Sequence, residues 1–175
     1  MRPPPFSVAL EMMRGLLVDQ FELKTHTENR ETTVYVMSST GKPKLERADE
    51  SERTGCSAIQ HPPKPGEMVE TTITCKNASM DDLARQLTHT AGAYIDHPIA
   101  NETGIDGGWD VEVSWTPIGI FQKAQAANQN AGDATMPGGI TLWEAVEKQL
   151  GLKLVKEKRS IPVVVVDHVD EEPLN

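Results

Sequence analysis

The chain has 175 residues, 38% of them hydrophobic and 5% aromatic, with 17 basic against 26 acidic side chains and a net charge of −9. That length suffices for one ordinary domain or two very small ones. The acidic balance argues against nucleic-acid phosphate or an anionic membrane surface as a partner, since both need clustered Lys and Arg on the protein, and no apolar run is long enough for membrane insertion within this chain.

The opening MRPPPFSVALEMMRGLL does not read as a signal peptide, because Glu11 and Arg14 interrupt its apolar run and no small-residue cleavage site follows. Any export signal is expected outside this chain. Prolines followed by Phe6, Leu10, Met13 and Leu17 predict a helix with one apolar face. Beyond it, QFELKTHTENRETTVYV reads as two strand runs about a charged turn at Glu28–Glu31. Glu22, Lys24 and His26 alternate with Phe21 and Leu23, as on a strand with one wet face.

Residues 39–68 are rich in Gly, Pro and charge, and read as a long loop. An alternating strand is expected at about Val69–Lys76. Ser79-Met-Asp-Asp82 then starts a second helix, carrying Leu83 and Leu87, and strands follow at Ala93–Ile99 and Trp109–Trp115. Residues 117–139 read as a second long excursion. Thr141-Leu-Trp-Glu144 has capping-box spacing, and Gly151 stands where a left-handed helix stop belongs. QLGLKLVKEKRSIPVVV completes the third unit, with its own charged turn at Glu157–Ser160.

This last stretch repeats the first. At an offset of 129, Gln20, Leu23, Lys24, Glu28, Arg30, Val34 and Val36 coincide with Gln149, Leu152, Lys153, Glu157, Arg159, Val163 and Val165. Seven identities at one offset point to duplication. The expected fold is α+β: a single domain of three αββ units, about 6–38, 79–115 and 141–169. They form an antiparallel or mixed sheet with helices packed on one face.

The chemistry-bearing residues do not assemble into a known motif. There is no nucleophile elbow, P-loop, dinucleotide fingerprint or zinc-binding spacing, so no catalytic residue, metal or cofactor is assigned. Asp96-His97 and Asp167-His168 invite an acid–base reading, but neighbours on a strand face opposite ways. Asp106, Gly107, Gly108 and Asp110 lack the ligand spacing of a calcium loop. Trp109, Trp115 and Trp143 are expected mainly in core packing. Cys56 and Cys75 are either a disulfide or two separate thiols.

LLVDQFELKTHTENRETTVYV, MDDLARQL, TGIDGGWDVEVSW followed by Pro117, and LWEAVEKQLGLKLVKEKRSIPVVVVDHV together cover most of residues 10–170. In these stretches the chain resembles a soil-associated family of unknown function (domain of unknown function 3738) abundant in acidobacteria. Members commonly look exported, some joined to a membrane sensor-peptidase, and many carry cysteines before the second helix. The resemblance thus implies a Cys56–Cys75 bridge and an extracytoplasmic, periplasmic or secreted, location. Trp109 departs from the Tyr or Phe more usual after the glycine turn, and the start looks abbreviated. No catalytic residues carry over.

The expected function is a binding or protein-interaction module for an unknown protein or small-molecule partner. Its candidate surface is the turn of Thr103, Gly104, Ile105, Asp106, Gly107, Gly108 and Trp109, with the adjoining 117–139 segment. One alternative is a cell-wall or carbohydrate hydrolase using Asp96, His97, Asp110 or Glu112. Another is a structural domain assembling through edge strands.

Overall fold

A computed structural model describes residues 6–49, 51–63, 68–131 and 139–173. The fold is α+β. In chain order it comprises α1 (Phe6–Phe21), β1 (Lys24–Ser39), β2 (Glu46–Arg47), β3 (Gly55–His61), β4 (Glu70–Ala78) and α2 (Met80–Thr90). There follow β5 (Ile99–Asn101), β6 (Trp109–Trp115), α3 (Ile118–Ala131), α4 (Leu142–Ala145) with a π-helical turn (Val146–Leu150), and β7 (Leu152–His168). Two sheets result, ordered β5-β1-β7 and β2-β6-β4-β3. β5 runs parallel to β1, whereas the second sheet is antiparallel throughout. The chain divides into two compact units, Met1–Thr32 with Lys158–Asn175, and Thr33–Glu157.

The hydrophobic core belongs to the larger unit, 33–157. On β4 and β6 the inward positions face each other in register, Ile73 opposite Val113 and Cys75 opposite Val111. α2 lays Met80, Leu83, Ala84 and Leu87 against this core, a spacing that keeps one helical face apolar. It starts where expected, with a capping box: Ser79 accepts from the Asp82 amide, and the Asp82 carboxylate accepts from the Ser79 amide. Thr141 and Glu144 repeat the device at α4. The π-helical turn after α4 ends at Gly151 with φ 67°, and a Cβ there would sit 2.4 Å from the Lys42 carbonyl oxygen. Only glycine meets both demands.

Several expected boundaries change. The charged stretches at Glu28–Glu31 and Glu157–Ser160 are not turns; β1 and β7 run through them as single strands of 16 and 17 residues. Neither stretch contains a glycine, and its charges are used along and across the strands instead. Glu28 pairs with Arg30, and Glu31 with Lys158 at 3.7 Å. The offset of 129 carries Lys24–Ser39 onto Lys153–His168, almost the whole of β7. Each of the two aligned stretches is therefore helix followed by one strand, without a hairpin, and not the αββ unit expected.

Of the strand expected at Ala93–Ile99 only Ile99 is strand, as the first residue of β5, because Ala91 accepts from the amides of both Tyr94 and Ile95 and winds the chain into a turn. The long loop at 39–68 contains β2 and all of β3, whose residues pair with β4 from Gly55↔Lys76 to His61↔Glu70. β3 is mostly exposed, so it lacks the alternation that betrays a half-buried strand. Much of the 117–139 excursion is helix α3, where Ala, Gln and Lys are good helix formers directly after Pro117. Residues 132–138 lie outside the described residues.

Candidate functional site

The turn Thr103–Trp109 is built by short-range hydrogen bonds. Asn101 Oδ1 accepts from the Thr103 amide and hydroxyl at 3.1 and 2.8 Å, and Thr103 Oγ1 accepts from the Ile105 amide at 3.2 Å. Gly104 and Gly107 both have positive φ. Trp109 Nε1 donates back to the Asp106 carbonyl at 3.2 Å, and the Arg47 guanidinium lies 5.7 Å from the indole centroid. Ile105 and Trp109 pack against the core, leaving Gly104, Asp106 and Gly107 exposed. The seven residues thus form one hydrogen-bonded turn with a small polar tip. Trp115 is buried, and Trp143 stacks on Tyr35 at 5.1 Å, so all three tryptophans serve packing.

The Cys56–Cys75 disulfide forms across directly opposed positions of β3 and β4, with Cα atoms 4.0 Å apart. Of the two possibilities left by the cysteine count, the bridge is the one the fold makes.

The acid–base candidates are dispersed among ion pairs. Asp96 accepts from Lys156 Nζ at 2.9 and 3.1 Å and from the Tyr35 hydroxyl at 2.8 Å. These two donors, Lys156 foremost, hold its carboxyl down at about 2. His97 approaches Asp96 only to 3.9 Å. Asp110 and Glu112 instead line a depression of about 300 Å³ with Lys44, Glu46 and Lys76, and neither Asp96 nor His97 lines it. Lys76 and the Asn77 amide pull the Asp110 carboxyl below its ordinary range, the opposite of what a general acid needs. The four candidates therefore do not share one cleft: Asp110 and Glu112 line the same depression, and Asp96 and His97 lie outside it.

The second sequential pair also separates. Asp167 turns to His26, whose Nδ1 lies 2.8 Å from both carboxylate oxygens, and that contact raises the imidazole's pKa. His168 instead meets Asp170 at 3.2 Å and Glu22 at 3.9 Å. Glu22, His168 and Asp170 each offer one donor atom within 4.8 Å of the others. Sequence spacing had no means of finding this cluster, because Glu22 and His168 stand near opposite ends of the chain.

Sequence reading also missed the exposure of α1. Val8, Leu10, Met12, Met13, Leu16, Leu17 and Val18 are all exposed, Met12 to 66%. At the offset of 129, Met13, Leu16 and Leu17 correspond to Leu142, Ala145 and Val146, which are fully buried. The apolar positions aligned at this offset are therefore buried in the second stretch and exposed in the first. No described helix is long and apolar enough to cross a membrane.

The family model described as protein of unknown function (DUF3738) matches residues 4–169, so the chain belongs to that family. No curated protein and no solved structure matches it.

Proposed function

We propose that this DUF3738 chain is an extracytoplasmic interaction module that docks another protein on the apolar surface of α1. One observation carries the reading: Met13, Leu16 and Leu17 are exposed where their counterparts Leu142, Ala145 and Val146 are buried. An apolar face repeated within one chain, and covered by a sheet and helix core in one copy, calls for a protein surface of similar chemistry over the other. A lipid surface suits it less well, since interfacial helices favour Lys and Arg on the polar face. Here α1 carries Glu11, Arg14 and Asp19 in a chain of net charge −9.

The exposed tip of the Thr103–Trp109 turn, at Asp106 and Gly107, is a further contact surface in this reading. Export to an oxidising compartment, as of a soil bacterium, is its cellular setting. The Cys56–Cys75 bridge is consistent with it, because disulfides persist outside reducing cytosol.

The test pairs light scattering with affinity capture from the extracytoplasmic fraction. Wild type is compared with a Met13→Glu, Leu16→Glu variant whose fold is checked by circular dichroism. A monomer that captures one protein stoichiometrically, lost in the variant, supports the reading. Concentration-dependent self-association abolished by the variant would replace it with the structural, self-assembling alternative. Capture unaffected by the two charges would remove α1 as the docking surface.

A further inference from the structure

We propose that Glu22, His168 and Asp170 bind a first-row divalent transition-metal cation of the zinc or manganese type. All three belong to the unit of residues 1–32 and 158–175. His168 Nε2 lies 3.2 Å from Asp170 Oδ1 and 3.9 Å from Glu22 Oε2. A metal that holds nitrogen and oxygen donors at about 2.0–2.2 Å keeps them roughly 3–3.5 Å from one another. The His168–Asp170 spacing already meets this, and a small rotation of the exposed Glu22 side chain supplies the rest.

The main chain brings these donors together. Glu22 follows the last residue of α1, His168 is the last residue of β7, and Asp170 lies two residues on. The Asp170 amide donates to the Phe21 carbonyl at 2.8 Å, tying the segment after β7 to the end of the helix. That helix end is the negative pole of the helix dipole, and its last turn contains no basic side chain. A cation at this point would complement it.

Donor chemistry sets the class of ion. One imidazole nitrogen with two carboxylates neutralises a divalent charge and suits zinc or manganese, whereas calcium and magnesium prefer oxygen alone. Three protein donors leave room for water, or for a group from another molecule. The competing arrangement is an imidazolium paired with two carboxylates and no metal. Binding measurements separate the two.

The experiment is calorimetric titration of the chelator-stripped full chain with zinc chloride. One saturable zinc per chain is expected. His168→Ala and Asp170→Asn should each weaken it at least tenfold, and His97→Ala and His61→Ala should leave it unchanged. Glu22→Gln, nearly isosteric and exposed, provides the same reading should another variant fail to fold. Absence of saturable zinc binding in the wild type overturns the site. So does equal binding in the three ligand variants, or an equal loss in the two control histidine variants.

Discussion

At Asp96, two donors from distant parts of the chain converge on one carboxylate. The Lys156 ammonium and the Tyr35 hydroxyl favour the ionised form, so the folded value of about 2 lies below the ordinary 3.8. A carboxyl depressed in the folded state contributes stability that is present above its unfolded pKa and lost as pH falls through the folded value. The window is therefore about pH 4 down to pH 2. Asp96→Asn should flatten that part of the stability–pH curve, measured by urea midpoints at several acid pH values. An unchanged acid limb in the variant would mean that the pair does not stabilise the fold. His26 has the opposite sign, since Asp167 raises its pKa. In an NMR titration its ring should change ionisation above the ordinary imidazole value, and Asp167→Asn should lower that midpoint, with Glu28 still favouring the charged ring. Thr116 poses a different residue-scale problem. Its Oγ1 is buried without a hydrogen-bond partner among the described residues. An unsatisfied buried hydroxyl costs about 1–3 kcal/mol, so Thr116→Val should raise stability by about 1 kcal/mol in chemical denaturation. A clear loss of stability would show that the hydroxyl has a partner in solution.

Among the elements, α2 and β4 are held by terms of known size. Leu87 is fully buried on the core face of α2, so Leu87→Ala should cost about 2–5 kcal/mol. The Cys56–Cys75 bridge joins residues 19 apart, and its loss should cost roughly 3 kcal/mol in the chain-entropy account. Comparing oxidised protein with a Cys56→Ser, Cys75→Ser variant in urea checks that figure. The same elements show what could be read beforehand. α2 was legible because its cap, its apolar spacing and its burial all agree, and the end of the π-helical turn after α4 was legible because Gly151 suits a left-handed stop. β3 was not, since an exposed edge strand has no burial to impress a pattern on its side chains. β1 and β7 were mistaken for hairpins because charge clusters resemble turns, yet on an exposed strand they can pair within and across strands. α3 is masked in the sequence because its polar side chains resemble those of a loop, although Ala, Gln and Lys favour helix. The Thr103–Trp109 turn was visible from its glycines. The Glu22–His168–Asp170 cluster was not, because only the fold joins its parts.

On the scale of the whole molecule, the two compact units differ in how their apolar side chains are used. The core cluster, from Tyr35 to Leu152, lies wholly within residues 33–157. In the other unit, seven large apolar residues of α1 are exposed, and so are Val164 and Val166 of β7. Burial supplies about 25 cal/mol per Å² of apolar surface removed from water, so local stability should follow this division. Hydrogen exchange followed by mass spectrometry tests it. Amides of α2, β4 and β6 should be protected up to the free energy of global unfolding, whereas those of α1 should exchange through local opening at much lower cost. A docked partner that covers α1 should slow exchange there and leave the core strands as they were. Zinc at Glu22, His168 and Asp170 should slow it at the end of α1 and around residues 168–170. Protection of α1 equal to that of α2 in the isolated chain would mean that its apolar face is already covered in solution, and the case for an outside partner would then fall.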